Sequence, residues 1–362
     1  MKEERDAPLA PLTTMRVGGP ARRLLTATTE AEVIDAVRAA DAAGEPVLVL
    51  GGGSNLVIAD DGFPGTVVRV ATTGIDVESA DACGGAHVRI AAGEVWDEVV
   101  ARAVAQGWSG IEALSGIPGS AGATPVQNVG AYGQEVAQTI ARVRTWDRQA
   151  GQVRTFANTE CDFTYRHSLF KGSTYRGAGR FVVLDVVFQF VLADLSAPVA
   201  YADLATQLGV ELGTRVPLAD AREAVLAQRR RRGMVLDAAD HDTWSCGSFF
   251  TNPILTADEF AGLEAAVTQQ LGADAPTPPR YPAADGQVKT SAAWLIDQAG
   301  FGKGFGAPGP ATLSTKHTLA VTNRGGATAA DIADLARRVR DGVQARFGVT
   351  LVNEPVFVGH DL

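Results

Sequence analysis

The chain has 362 residues, which is long for one domain and predicts two or three of them. Hydrophobic residues make up 46% of the chain and charged residues 20%, so it can build cores and is not an intrinsically disordered protein. A net charge of −9 argues against nucleic acid as the main partner, although it leaves room for an anionic small ligand in a local basic pocket.

Cysteines and histidines show no pattern of a metal site or a disulfide framework. The three cysteines, Cys83, Cys161 and Cys246, have no CxxC spacing, and the five histidines are scattered. The N-terminal residues lack the apolar stretch of a signal peptide, and no apolar run reaches the about 18 residues of a membrane span. We therefore expect a cytoplasmic protein that binds no metal, no membrane and no nucleic acid.

The first segment predicts a strand, a helix and further strands in a βαβ-like unit. Thr29 and Glu32 have the spacing of a helix capping box, and apolar residues follow at helical spacing. The apolar run 46–50 is typical of a buried strand, and 66–70 predicts another. Between these two runs the chain passes through a glycine-rich turn at 51–55.

The glycine-rich turn suits a phosphate group. Adjacent glycines let the backbone approach a diphosphate closely and point several N–H groups at it. The turn is not GxGxxG, and no clear helix begins after Asn55, so a Rossmann site for NAD fits poorly. A plain turn explains this motif equally well when it is taken alone.

The second segment combines strands with one long loop. Strands are predicted at 88–93, 141–146 and 181–190, and a helix with an apolar face begins near Val95. Residues 114–136 have neither helical nor strand periodicity and are rich in glycine. Loops of this length are functional or disordered in most domains, and its apolar residues favour a functional loop over a disordered one. A purely structural loop is the alternative, but two glycine-rich segments together fit a dinucleotide better than either alone.

The third segment predicts helices and a final strand. A helix covering 219–232 ends in four arginines, and others are expected near 256–270, 291–299 and after a capping box at Thr328. Short strands are predicted at 319–323 and 351–359. The arginine run is either a solvated helix end, favoured by the helix dipole, or a contact to a substrate phosphate.

Three side chains suggest chemistry, each with a plainer explanation. Arg166, between Tyr165 and His167, offers a fork for a carboxylate, although a surface salt bridge is the commoner role. Ser248 follows a glycine in an apolar stretch without the GxSxG pattern, and a turn before a strand explains it. Glu354 stands among apolar residues, where burial would be costly, but an exposed edge strand is the alternative.

Taken together and in order, six segments resemble the UDP-N-acetylenolpyruvoylglucosamine reductase family, the flavoenzymes that complete UDP-N-acetylmuramate for peptidoglycan. Any one of these segments is a weak signal, whereas six in the family's order are highly specific and extend over nearly the whole chain. The segments are LGGGSNLV, SGIPGSAGATPVQNVGAYGQEV, YRHSLFK, GSFFTNP, SAAWLIDQAGFGKG and NEPVFVG.

The resemblance implies an α+β fold: a two-part FAD-binding fold of the vanillyl-alcohol-oxidase-like type and a C-terminal α/β substrate-binding domain. The expected boundaries are 1–70 for the first FAD-binding part, joined by the C-terminal strand 349–362, then 71–222 for the second part. Residues 223–348 are expected to form the substrate-binding domain. The family resemblance also leads us to expect a monomer.

The resemblance further implies a flavin-dependent, NADPH-consuming reduction of UDP-N-acetylglucosamine enolpyruvate, with FAD held non-covalently. By motif match, Arg166 and Glu354 stabilise the negative charge that develops at the substrate carboxylate, and Ser248 protonates the adjacent carbon. The absence of His and Cys from the two glycine-rich segments agrees with a non-covalent flavin.

Motif matching also carries binding residues over to this chain. Tyr201 matches the loop tyrosine of one subgroup of the family, the type that closes this loop over the uridine diphosphate. The substrate-binding residues implied are Tyr165, Tyr201, Arg232, Asn252 and His317. The FAD-binding residues implied are Leu50, Gly51, Gly52, Gly53, Ser54, Asn55, Ser115, Gly116, Ile117, Pro118, Gly119, Ser120, Gly122, Ala123, Gln127, Asn128, Gly130, Ala131 and Tyr132.

Three departures from the family pattern stand out. The family's opening Asn-Thr-aromatic is replaced here by Thr13-Thr14-Met15. Arg232 stands where a lysine near the diphosphate is expected, which keeps the charge but changes its geometry. Cys246 occupies a position where a small residue is usual, and we expect it to be a small buried apolar side chain rather than a redox centre.

Two other functions are weighed against this one. Another FAD oxidoreductase of the same fold, acting on an alcohol or a sugar, would not need Ser248 and Glu354 together. A non-catalytic nucleotide-binding module would keep the glycine-rich segments but could lose Arg166, Ser248 or Glu354.

Overall fold

The computed structural model describes residues 1–362 as 21 strands and eight α-helices, with short 3₁₀ turns between them. The strands are β1 (Lys2–Pro8), β2 (Pro20–Ala27), β3 (Val47–Leu50), β4 (Leu56–Ile58), β5 (Phe63–Val70), β6 (Ile75–Asp81), β7 (Gly85–Ala91), β8 (Trp108–Ser109), β9 (Gly130–Ala131), β10 (Gln134–Glu135), β11 (Ile140–Asp147), β12 (Gln152–Ala157), β13 (Thr174–Tyr175), β14 (Ala178–Gly179), β15 (Phe181–Leu192), β16 (Ile254–Leu255), β17 (Tyr281–Pro282), β18 (Val288–Lys289), β19 (Ala311–Leu313), β20 (Val321–Asn323) and β21 (Val356–Val358). The helices are α1 (Glu30–Ala42), α2 (Trp96–Ala105), α3 (Leu169–Gly172), α4 (Ala202–Leu208), α5 (Leu218–Arg231), α6 (Ala257–Leu271), α7 (Ala292–Gln298) and α8 (Ala329–Phe347).

The chain divides into two units, each built from more than one stretch of sequence. Unit 1 comprises Met1–Pro8, Pro20–Gly53 and Phe63–Val235. Unit 2 comprises Leu9–Gly19, Ser54–Gly62 and Leu236–Leu362. Each unit has an apolar core of its own.

The first sheet of unit 1 contains the expected βαβ arrangement. Its strand order is β1-β2-β5-β3, with β2 and β3 both parallel to β5. Thr29 begins α1 in a capping box with Glu32, as the sequence predicts. The helix buries Val33 and Val37, which extends the core of the sheet.

The second sheet of unit 1 is antiparallel. Its order is β12-β11-β15-β7-β6, and the short β8 pairs with the end of β15. The long strand β15 is buried along most of its length, in keeping with its almost continuous apolar sequence. Trp96 at the start of α2 packs on Phe188, with ring centroids 5.8 Å apart. The predicted long loop contains only 3₁₀ turns and the two-residue strands β9 and β10.

Unit 2 packs three helices with several short sheets. The strand orders are β16-β18-β17, β19-β20 and β4-β21, the last pair being parallel. Capping boxes begin α6 at Thr256 and α8 at Thr328. The buried faces of α6, α7 and α8 supply much of the core.

The final strand is shorter than the sequence predicts. The expected strand at 351–359 is reduced to β21, and Glu354 lies before it in irregular chain. Pro355 has no N–H to donate, which interrupts a strand ladder at this point. The strand expected at 319–323 likewise begins only at Val321, where β20 starts.

No helix in the structure combines the length and apolar character needed to cross a membrane. No group of three or more His, Cys, Asp or Glu side chains is arranged to hold a metal ion.

Candidate active site

The two glycine-rich segments of unit 1 lie against each other. A Cβ on Gly52 would lie 2.6 Å from the Cα of Gly119, and one on Gly51 would lie 2.4 Å from the Oγ of Ser120. Real Cβ atoms do not approach other atoms this closely, so Gly52 requires glycine because it faces main chain, whereas a side chain at Gly51 would need the Ser120 hydroxyl to rotate away. The result is a stretch of exposed and half-buried backbone without bulky side chains, formed by two segments distant in sequence.

The proposed FAD-binding residues differ in burial. Those that are buried are Leu50, Gly53, Ser115, Gly116, Ser120, Gly122, Gln127 and Asn128. Those that are half-buried are Gly51, Ser54, Asn55, Ile117, Pro118, Gly119, Gly130, Ala131 and Tyr132. Gly52 and Ala123 are exposed.

Asp97 anchors the second glycine-rich segment. Its carboxylate accepts the Gly116 N–H at 2.6 Å and pairs with the two terminal nitrogens of Arg222 at 2.7 and 3.0 Å. Burial raises the pKa of Asp97, but the hydrogen bonds from Arg222 and Gly116 outweigh it, so the pKa is lowered overall. Asp97 therefore joins α2, α5 and the loop. No sequence pattern distinguishes Asp97, because an acidic residue in the first turn of a helix is common.

Arg166 lies against the far half of the same loop. Its Nη2 donates to the Gly130 carbonyl at 2.9 Å and its Nη1 to the Asn128 carbonyl at 3.5 Å. Its Cζ lies 5.2 Å from the centroid of the Tyr165 ring. The structure thus brings two proposed substrate-side residues, Tyr165 and Arg166, to two proposed FAD-binding residues.

Neighbouring side chains hold this half of the loop in place. Lys171 donates from Nζ to Gln127 Oε1 at 2.9 Å. Asn128 donates from Nδ2 to the Thr164 carbonyl at 3.0 Å and to Glu135 Oε2 at 2.9 Å. Gln127 and Asn128 therefore have clear structural contacts.

Tyr201 and Arg232 lie near Tyr132 in unit 1. Tyr201 precedes α4, is 51% exposed, and meets the Tyr132 ring edge-on with the centroids 5.8 Å apart. Arg232 donates to Asp203, in the first turn of α4, at 2.7 Å. Burial raises the pKa of Tyr132, which stays a neutral phenol at physiological pH. This cluster joins two proposed substrate residues and one proposed cofactor residue.

The arginines at the end of α5 have different surroundings. Arg229 donates to the Met234 carbonyl at 2.8 Å and to the Gly116 carbonyl at 3.5 Å. Burial lowers the pKa of Arg229 to about 10, so it remains a cation at neutral pH. Arg231 donates to Gln228 and Gln207. The sequence left two roles open for this arginine run, a solvated helix end or a contact to a substrate phosphate. Arg230 and Arg231 are exposed and fit a solvated helix end, whereas Arg229 does not.

The chain segments that carry Ser248 and Glu354 are hydrogen-bonded to each other in unit 2. The residue after Ser248, Phe249, donates its N–H to the Leu319 carbonyl and accepts the Glu354 N–H at its own carbonyl, each at 2.8 Å. Phe249 is fully buried, with Phe357 6.2 Å away between ring centroids. A buried aromatic and two main-chain bonds therefore fix the short stretches that carry these two half-buried side chains.

Asn55 and Cys246 adjoin Glu354 in the same unit. Asn55 donates from Nδ2 to the Glu354 carbonyl at 3.2 Å, and its own carbonyl accepts the Val356 N–H at 2.9 Å. Cys246 Sγ donates to the Leu56 carbonyl at 3.5 Å. Burial raises the pKa of the Cys246 thiol to about 12. The end of the first glycine-rich turn is thereby joined to the segment that carries Glu354.

The remaining predicted residues of unit 2 are half-buried. Asn252 accepts the Ala292 N–H, at the start of α7, on its side-chain oxygen at 3.0 Å. His317 donates its backbone N–H to Ser314 Oγ at 3.3 Å. The turn that carries His317 is held by Asp242, which accepts from the N–H and the hydroxyl of Thr315 at 2.8 and 2.6 Å. Sequence patterns gave no sign of Asp242.

The unusual N-terminal motif also belongs to unit 2. Thr14 donates its hydroxyl to the Ser245 carbonyl at 2.7 Å, three residues before Ser248. Asn323 donates to the carbonyls of Met15 and Arg16 at 3.1 and 3.2 Å. Met15 is fully buried, so an aliphatic side chain fills the place of the expected aromatic one.

The residues of unit 1 fit FAD on physical grounds. Gly51 and Gly52 allow the two backbone segments to lie against each other, and adjacent glycines in such a turn are suited to direct N–H groups at a diphosphate. The amide and hydroxyl groups of the following loop supply partners for a heteroaromatic ring. No His or Cys lies in these segments to form a covalent flavin link.

Two family descriptions match the chain. "FAD binding domain" matches residues 21–157, and "UDP-N-acetylenolpyruvoylglucosamine reductase, C-terminal domain" matches residues 239–358. The UDP-N-acetylenolpyruvoylglucosamine reductase of Streptomyces avermitilis is 61% identical over 100% of this chain and 96% of the relative. That of Thermobifida fusca is 56% identical over 98% of each chain. The chain belongs to the UDP-N-acetylenolpyruvoylglucosamine reductase family.

A solved structure shares the fold. The crystal structure of UDP-N-acetylenolpyruvylglucosamine reductase from Thermus caldophilus aligns with a TM-score of 0.61 and 23% identity, over 99% of this chain and 98% of the other. The predicted α+β class, with an FAD-binding part and the C-terminal domain of this reductase family, is confirmed. The three-part boundaries and the individual site residues stay predictions.

Proposed function

We propose that the chain reduces UDP-N-acetylglucosamine enolpyruvate to UDP-N-acetylmuramate with NADPH, in peptidoglycan precursor synthesis. The observation that carries this proposal is 61% identity, over the whole chain, to a relative with this reductase name. FAD is the cofactor and, when bound, supplies two-electron chemistry between NADPH and the enolpyruvyl double bond. The segments that would hold it are 50–55 and 115–132.

The substrate carboxylate needs positive charge and hydrogen-bond donors during the reaction. Hydride addition to the terminal carbon of the enolpyruvyl group leaves negative charge on the neighbouring carbon and its carboxylate. Groups aimed at that charge lower the barrier, because they act where it develops. In this proposal Arg166 supplies a guanidinium and Glu354 a protonated or proton-sharing carboxyl.

Ser248 completes the reaction by giving its hydroxyl proton to the carbon that carries the charge. A neutral hydroxyl is a weak acid, so its position must compensate for its low acidity. The main-chain bonds of Phe249 to Leu319 and Glu354 support this role, because they limit where the preceding Ser248 can lie. A fixed position next to the basic carbon lowers the barrier to this proton transfer, because the two groups need not find each other by diffusion.

Substrate binding is assigned to Tyr165, Tyr201, Arg232, Asn252 and His317. Arg232 is hydrogen-bonded to Asp203. In this proposal its guanidinium contacts the substrate diphosphate either in place of Asp203 or together with it. The division into 1–70 with 349–362, 71–222 and 223–348 belongs to the same proposal. A cytoplasmic location and a monomeric state are also proposed.

Ser248→Ala tests the proton-donor role. The variant should be reduced by NADPH at the wild-type rate, while turnover with the enolpyruvyl substrate falls by at least about 100-fold, the lower bound for a lost general acid. Anaerobic stopped-flow absorbance of the flavin follows both half-reactions separately.

Thr251→Val is the matched control. It removes a hydroxyl three residues further along, which donates to the Val352 carbonyl at 3.3 Å, and turnover should change little. Near-normal turnover in Ser248→Ala would contradict the proton-donor role. A wild-type protein whose reduced flavin is not reoxidised by this substrate would contradict the proposed function itself.

A further inference from the structure

One buried carboxylate of unit 1 links the second glycine-rich loop to the segment that leads into Tyr201. Glu112 is 2% exposed and precedes the loop. Its Oε1 accepts the Gln134 amide at 2.9 Å and the Ala197 N–H at 2.6 Å, and its Oε2 accepts the Gly110 N–H at 2.7 Å. A buried carboxylate is costly unless donors satisfy it, and here three N–H donors do so.

The loop and the Tyr201 segment meet at two places. Four residues after Ala197, the Tyr201 ring touches the Tyr132 ring, and a Cβ on Gly133 would lie 3.0 Å from the Cβ of Ala200. Tyr132 itself lies two residues before Gln134, the other partner of Glu112. A polar contact at Glu112 and an aromatic contact at Tyr201 therefore join the two chain segments.

Packing does not fill the space between these contacts. A cavity of about 460 Å³ lies there, lined by Glu112, Gly133, Gln134 and by residues 196–200. The apolar contacts at its edges, which place Ala113 and Val199 in one buried cluster, therefore supply only part of the link between the two segments. The hydrogen bond from Ala197 to Glu112 is the direct polar link across it.

Other bonds hold the same segment to a different neighbour. Ser196 donates its N–H to the Val216 carbonyl at 2.7 Å, and Val199 donates to the Thr214 carbonyl at 2.9 Å. These bonds tie the segment to residues 214–216 rather than to the glycine-rich loop. Glu112 supplies the polar link to that loop, in addition to the apolar and aromatic contacts of Val199 and Tyr201.

We propose that Glu112 is a positioning residue for substrate binding, which sets where Tyr201 lies relative to the FAD-binding loop. The inference rests on the proposed function, in which Tyr201 contacts the uridine diphosphate part of the substrate. Glu112 itself touches neither substrate nor cofactor. Its loss should weaken substrate binding and leave the chemical step unchanged.

Glu112→Ala tests this directly in the FAD-loaded protein. Alanine has no side-chain acceptor, so Gln134, Ala197 and Gly110 all lose theirs. Amide hydrogen exchange of residues 195–201, followed by mass spectrometry, should accelerate about tenfold or more, as for a lost hydrogen bond to a charged group. KM for the enolpyruvyl substrate should rise by a similar factor, with kcat within about threefold and FAD content unchanged.

Glu160→Ala is the matched control. That exposed carboxylate also accepts a backbone N–H, from Ala157 at 2.8 Å, and its loss should change neither KM nor exchange at 195–201. Glu112→Asp keeps the charge with a shorter reach and is measured in the same way if Glu112→Ala does not fold. It should give a smaller shift in the same direction.

Three results would overturn the proposal. Exchange at 195–201 that stays at the wild-type rate would show that Glu112 does not hold the segment. Faster exchange with an unchanged KM would show that its position does not matter for substrate. Loss of FAD with a fall in kcat at constant KM would indicate a cofactor-loop role instead. Failure of the wild type to act on the substrate would contradict the proposed function, whereas the exchange result would still report on Glu112.

Discussion

At Cys246, the surroundings rather than the residue type decide the chemistry. A thiol one glycine away from the proposed proton donor could be a nucleophile, but burial raises its pKa to about 12. The thiolate is therefore scarce at physiological pH. The expectation of a small, inert side chain agrees with this environment, and the departure from the family pattern needs no redox role.

Cysteine labelling checks this reading. In the folded protein at pH 8, iodoacetamide should modify Cys83, which is exposed, and leave Cys161 and Cys246, since burial raises the pKa of both to about 12. Because the thiolate fraction grows tenfold per pH unit below the pKa, labelling of the two buried thiols should rise as the pH increases. Mass spectrometry of digested protein gives the site, with unfolded protein as the control. Rapid labelling of Cys246 at pH 8 would contradict the assignment.

Among the elements, the glycine-rich turn after β3 depends most on residue size. Gly52 approaches the Cα of Gly119, an atom of the main chain that cannot rotate away as a side chain could. The requirement for glycine arises from contact with a loop far away in sequence. The turn is therefore more than a connection between strands, and any added methyl group must displace the second segment.

Gly52→Ala should reduce FAD retention for this reason. The purified variant is expected to lose most of its visible flavin absorbance while keeping the far-ultraviolet circular dichroism of the wild type. Gly262→Ala is the control, because nothing lies within 4 Å of a Cβ at that position in α6. Alanine there should stabilise the helix by up to about 1 kcal/mol. Full flavin content in Gly52→Ala would contradict the contact seen between the two segments.

At the scale of the whole molecule, each unit is assembled from stretches that are distant in sequence. Unit 2 takes residues 9–19 and 54–62 from the N-terminal part of the chain and joins them to its C-terminal part. The parallel pairing of β4 with β21 joins the N-terminal stretch to the C-terminal one. This pairing brings Asn55 to the carbonyl of Glu354.

FAD should stabilise the whole chain against unfolding, because it binds the folded form and its segments are separated in the unfolded one. Adding FAD to the apoprotein at about 100 times the Kd should raise the free energy of unfolding by about 2.7 kcal/mol. Urea unfolding at increasing FAD concentration measures this, with NADPH alone as the comparison. A midpoint that does not depend on FAD concentration would contradict a stable FAD site.

Local patterns were sufficient for six of the eight helices and for several of the longer strands of this protein. The capping boxes at Thr29, Thr256 and Thr328, the apolar run of β3 and the apolar face of α2 are encoded within a few residues of chain. The six motifs in order were sufficient for the family, which the relatives confirm. Arg166, Ser248 and Glu354 were selected by motif match, and their roles stay predictions.

Tertiary structure decided what no local pattern encodes. Glu112, Asp97 and Asp242 each bind donors that are brought to them by other parts of the chain, and an isolated acidic residue carries no sign of such partners. The length of the last strand also depended on tertiary context, because β21 forms only where β4 lies beside it. The sequence by itself determined the family, the chemistry available and most helices. Only the folded chain determined which backbone N–H groups those carboxylates hold, because long-range hydrogen bonds form between residues that have no periodic relation in sequence.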